Sequence, residues 1–164
     1  EEGVHMETSD IVLLAQPTIW MLGVLAAFWV YVEALNASLA NEWRVRLLSE
    51  ITALCIIAVA LLSGYWVGLF HPPGPVLVLK GQWPWAGKIV ATAKEHLFFI
   101  PLLLALYLPI IASKGITRTP GARAVVMITA GFIVLGGLAI QGANSLANFS
   151  AKTATAPVEI GAQP

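Results

Sequence analysis

Charge is what this chain has least of. Nine basic and nine acidic side chains make up 11% of its 164 residues and cancel to a net charge of zero. A set so sparse and so balanced excludes a polybasic nucleic-acid surface and an electrostatic tether to anionic headgroups. Cysteine is nearly absent: Cys55 is the single thiol, so no internal disulfide forms and two-cysteine redox chemistry is excluded. Lying in an apolar run, Cys55 is expected to pack. The chain also lacks a phosphate-binding glycine loop, a zinc-protease helix, a serine elbow and paired catalytic carboxylates. An autonomous hydrolase is therefore not expected, and no catalytic residue is assigned. Transport is not expected either, because the halves show no inverted repeat and only Glu33 falls well inside an apolar stretch.

What is present is apolar: 58% of residues are hydrophobic and the mean hydropathy is +0.81. That lies outside the range of soluble domains of ordinary charge content. The fold expected is all-α, an integral membrane four-helix transmembrane bundle embedded in the lipid bilayer. The chain begins at Glu1 rather than methionine, so processing of the N-terminus stays an open point.

A polar segment, residues 1–10, ends at Asp10, expected to be the N-cap of the first helix. The membrane domain, residues 11–148, divides into spans at 11–39, 47–70, 90–113 and 124–148. Pro17 is placed in the first turns of span one, where a missing amide costs little. ASLANEWRVR is expected to prolong that span as helix into the interface. Span two carries Glu50 at its start and stops before His71 and the prolines of HPPGP. The loop 71–89 contains VLVL and WPW, too apolar for a solvated segment. Trp83 and Trp85 are accordingly expected at the membrane surface or against another chain. Pro101 and Pro109 predict a bent third span. The tail, residues 149–164, is rich in Ala, Thr and Pro, and is expected to be loosely structured unless a partner holds it.

Four spans put both termini on one side. The short connections on the other side hold Arg44, Arg46, Lys114, Arg118 and Arg123, against Lys80, Lys88, Lys94 and Lys152 on the side of the termini. The bias, with arginine on one side alone, assigns the short connections to the cytoplasm and the termini to the outer or periplasmic side. A bacterial inner, or cytoplasmic, membrane is the expected location.

Depth selects the candidate site. His96 lies 17 residues from Ser113, and Gln141 lies 17 from Ala124, each about 26 Å at helical rise. His71 lies 20 residues from Ile51, or about 30 Å. All three fall near the outer edge of a core about 30 Å thick. Two neutral imidazoles on adjacent helices can ligate one haem b axially, with His71 and His96 as the iron ligands and the loop tryptophans at its edge. Val67, Gly64 and Ala60 would form the small-residue face below His71, and Ile100, Leu103 and Tyr107 the face continuing His96. The plainer account is that histidines at a membrane interface bond headgroups, water or loop carbonyls, and that HPPGP merely stops a helix. A third arrangement joins His5, Met6, Glu95, His71 and His96 in a copper or zinc set, although the spacing matches no compact ligand motif.

Two further features bear on partners. Glu33 should face the bundle, water or a partner, because a carboxylate facing lipid costs roughly 2–3 kcal/mol; Arg44 or Arg46 is placed to pair with Glu33 or Glu50. Gln141, Asn144 and Asn148 form a polar stripe on span four, suited to bonding partner helices, with Gly131, Gly136, Gly137 and Gly142 permitting close approach. Two functions compete. One is a subunit of a respiratory or photosynthetic electron-transfer complex, holding haem and exchanging electrons with the quinone pool. The other is a cofactor-free accessory subunit that stabilises a larger membrane assembly through Trp83, Trp85, Gln141 and Asn144.

Overall fold

The computed structural model describes residues 8–70 and 97–155. Among them all regular structure is helical: α1 (Thr8–Leu35), α2 (Glu42–Phe70), α3 (Phe99–Ala112) and α4 (Pro120–Thr155). Among the described residues the backbone of α1 lies close to those of α2 and α4, and α3 lies close to the same two, while across the diagonal the backbones stay apart. The four helices therefore form a ring in chain order. Neighbours run antiparallel: Gln16 bonds Ser63 near one end of α1, while Glu33 lies 3.7 Å from Arg44 near the other.

Three stretches, Leu14–Leu35, Glu42–Tyr65 and Gly121–Leu146, are long and apolar enough to cross a membrane. Helix α3 has 14 described residues, about 21 Å, short of a core about 30 Å thick. The start of the expected third span lies outside the described residues.

The inward stripes explain the ring. On α1 they are Trp20, Val24, Ala27, Val30 and Ala34; on α4, Val126, Ala130, Ile133 and Ile140. Steps of three and four residues keep each set on one face. These inner residues are mostly small or β-branched, whereas the outer faces carry Leu22, Leu25, Phe28 and Trp29 on α1 and Ile128, Phe132 and Leu135 on α4. Lipid is as apolar as leucine, so helix contact in a membrane depends on close packing of small groups rather than on burying the largest ones. Ser49 and Thr52 are buried on the inner face of α2, where their hydroxyls bond the carbonyls of Val45 and Leu48. Neither is left unsatisfied in the interior.

Several boundaries differ from the sequence expectation. Helix α1 is described from Thr8, so Asp10 lies within it rather than at its cap. Pro17 is consequently interior to the helix and not in its first turn. The chain does not stay helical through ASLANEWRVR: α1 stops at Leu35, residues 36–41 turn, and α2 starts at Glu42. The reason is local hydrogen bonding. The Asn41 amide donates to the carbonyls of Glu33 and Asn36 and to the Glu33 carboxylate, while Ser38 N–H donates to Asn41 Oδ1 at 2.7 Å. At the far end, helix α4 continues to Thr155, so the first residues of the expected loose tail are helical.

Candidate functional site

The candidate haem ligands His71 and His96 lie outside the described residues, as do His5, Met6, Glu95, Trp83 and Trp85. Among the described residues no three of His, Cys, Asp or Glu gather closely enough to hold a metal ion. The flanking helices do have a defined register. Arg46 donates to the Ser113 carbonyl at 3.3 Å, and Thr117 donates to Glu42 at 3.1 Å. Counting from Arg46 and Ser113, Phe99 stands level with Ala60, so α2 runs about 15 Å past the described start of α3. Sequence depth sets Ile51 and Ser113 at one edge, whereas the observed partner of Ser113 is Arg46, five residues earlier. Ile100, Leu103 and Tyr107 on α3 are exposed. Gly64 on α2 is also exposed, and a Cβ built there meets no described residue within 4 Å.

The closed end of the ring holds a polar network. Glu33 accepts from Trp29 Nε1 at 3.2 Å and from Asn41 Nδ2 at 2.9 Å, and it pairs with Arg44 while its side chain is only 15% exposed. Arg123 reaches across from α4 to the last carbonyls of α1, with Nε on Ala34 O at 2.9 Å and Nη2 on Leu35 O. A cation on these orphan carbonyls also meets the negative end of the helix dipole. Gly115, at φ +78°, makes the connection between α3 and α4. These groups bind one another and clamp the ends of α1, α2 and α4 together.

On α4, Gln141 and Asn144 are both half-buried, and Ser145 donates to the Gln141 carbonyl at 3.0 Å. The side chain of Asn148 is not described. Closer to the core, Trp20 Nε1 donates to the Gly137 carbonyl at 3.3 Å, and its ring lies 5.7 Å from that of Phe98. Two shallow surface grooves are lined mainly by apolar side chains, one of ≈ 260 Å³ between Tyr31 and Gly131 and one of ≈ 510 Å³ around Pro17 and Met21.

The chemically unusual position is Glu50. It is exposed, with no ion pair or hydrogen bond to any described residue. Its neighbours along the outer face of α2 are Trp43, Leu47, Leu54 and Leu61, all exposed. Glu50 lies four residues beyond Arg46, and Arg46 is level with Ser113, so its backbone stands about 6 Å inside the end of α3, with the side chain leaning back toward that end. The outer stripe of α4, Val125, Ile128, Phe132, Leu135 and Leu138, carries no ionisable group. Glu50 shares its helix face with Leu47, Leu54 and Leu61 by steps of three and four, and the structure turns that face outward.

Comparison with protein-family models, with curated proteins and with solved structures gives no match.

Proposed function

We propose that this chain is an accessory subunit of a larger membrane assembly, acting by packing its outer helix faces against other polypeptides, with the arginine-rich end on the cytoplasmic side. Glu50 carries this reading. A carboxylate facing hydrocarbon costs roughly 2–3 kcal/mol at the centre of a span and less toward its end, and a partner that donates to it removes that cost. The clamp at the closed end supports the same reading, because it stiffens the bundle. The contact surface then includes α2, with Gln141 and Asn144 on α4 as further hydrogen-bonding positions.

A second reading keeps the haem. It is favoured by the antiparallel packing of α2 on α3, which puts the chain positions flanking His71 and His96 in the same half of the bundle. In that reading the subunit passes electrons between an outer-side carrier and membrane quinone.

One purification tests both. A photo-crosslinking residue at Leu61 should capture polypeptide in native membranes, whereas one at Ile128 should capture lipid; lipid alone at Leu61 refutes the accessory reading. From the same material, a reduced-minus-oxidised spectrum with a b-type band that vanishes in His96→Ala supports haem ligation, and a band that survives belongs to another chain.

A further inference from the structure

We infer that the outer stripe of α2 is a self-association surface, on which two copies of this chain meet about a two-fold axis along the membrane normal and Arg46 of each pairs with Glu50 of the other. This rests on the reading of Glu50 as a partner contact and names the partner.

The spacing supplies the seam. Trp43, Leu47, Glu50, Leu54, Ile57 and Leu61 follow steps of four and three, the pattern that lets two helices interlock along one face. All but Ile57 are exposed, and Ile57 is half-buried. Leucines fill the contact, and one polar residue among them sets register, as a single buried polar group does in paired helices.

Charge selects the occupant. Arg46 is exposed at the flank of the stripe, one turn before Glu50. Within one helix, a basic residue four positions ahead of an acidic one is the weaker order for pairing. No ion pair joins the two here; Arg46 bonds the Ser113 carbonyl through one Nη2 hydrogen and has further donors to offer. Copies inserted by the same route share one orientation, so two α2 helices meet in parallel. A two-fold axis then sets the two Glu50 carboxylates at one level, with each Arg46 about one turn, ~6 Å along the axis, from the opposing Glu50, so that the two guanidiniums reaching across the seam neutralise the facing carboxylates. The patch is self-complementary, as an isologous interface requires. A different partner would have to bring its own cation to this depth, whereas a second copy already carries one.

The test uses full-length protein carrying two different tags, co-expressed in membranes and solubilised gently. Glu50→Arg alone and Arg46→Glu alone should each reduce co-purification of the two tags by ~10-fold, the loss expected from breaking interhelical polar contacts in lipid. Co-expressing the Glu50→Arg chain with the Arg46→Glu chain should restore it, since each cation then faces a carboxylate on the other copy. Because a charge reversal can impair insertion, a second measurement avoids both residues: in a Cys55→Ala background, Leu54→Cys should form a disulfide-linked dimer on mild oxidation, and Ile128→Cys should not. Absence of the Leu54→Cys dimer, or failure of the mixed variants to recover, overturns the self-association. If a crosslinker at Leu61 then captures a different polypeptide, the accessory reading stands and only the second copy is refuted; if it captures lipid alone, both fall.

Discussion

Gly137 shows how much one residue decides in this bundle. A Cβ built there would lie 2.5 Å from Val24 Cγ2 and 3.7 Å from the Trp20 ring. Valine is stiff at χ1 and cannot swing away cheaply, and the Trp20 indole is held by the Gly137 carbonyl itself. Gly137→Ala should therefore destabilise the protein by about 1–3 kcal/mol, the range for overpacking a tight contact. Gly142 makes the internal control. No described residue lies within 4 Å of its built Cβ, so Gly142→Ala should be neutral or stabilising by up to about 1 kcal/mol. Unfolding of both variants in detergent measures the difference. The sequence marked the two glycines alike as close-approach positions, because spacing cannot tell which side of α4 faces α1.

At the scale of elements, the break between α1 and α2 is the feature that apolar periodicity misread. Residues 36–41 contain no proline or glycine, the usual punctuation of a helix end. The stop is made instead by Asn41, whose carboxamide is shared among acceptors from Glu33 and Asn36, and by Arg123 from a helix far along the chain. Asn41→Ala should cost about 1–2 kcal/mol, as removal of a helix-terminal polar anchor does. It should also speed hydrogen exchange in the last turn of α1, while α3 stays protected. Equal acceleration throughout the bundle would contradict a local role. The cap on Ala34 and Leu35 was illegible because it joins residues more than eighty positions apart, whereas pairing of Arg44 or Arg46 with Glu33 or Glu50 was legible as a set, since all four sit near one short connection, and the structure selects Glu33 with Arg44.

The whole molecule has small groups inside and bulky apolar groups outside. Trp20 is 4% exposed, whereas Trp29, on the same helix, is 54% exposed. In vesicles containing brominated lipid, a variant keeping only Trp29 should be strongly quenched, and one keeping only Trp20 should be shielded. Similar quenching of the two would mean that the ring has opened or that α1 faces lipid all round.

Composition and run length by themselves determined that this is a helical membrane protein, because nothing but an apolar stretch of about twenty residues spans hydrocarbon unaided. They also gathered Arg44, Arg46, Lys114, Arg118 and Arg123 at one end of the bundle, although Arg44 and Arg46 fall in the first turns of α2 and Arg123 in the first turn of α4 rather than in the connections. Tertiary structure alone decided which face of each helix turns inward, and with it that Glu50 stands on the outer stripe of α2 while Ser49 and Thr52 are buried. Periodicity fixes which residues share a face, but every face here is apolar enough for lipid, so hydrophobicity cannot rank them. The ranking comes from steric fit between helices distant in sequence, as at Gly137 against Val24, and from long-range hydrogen bonds such as that of Arg123 to the end of α1.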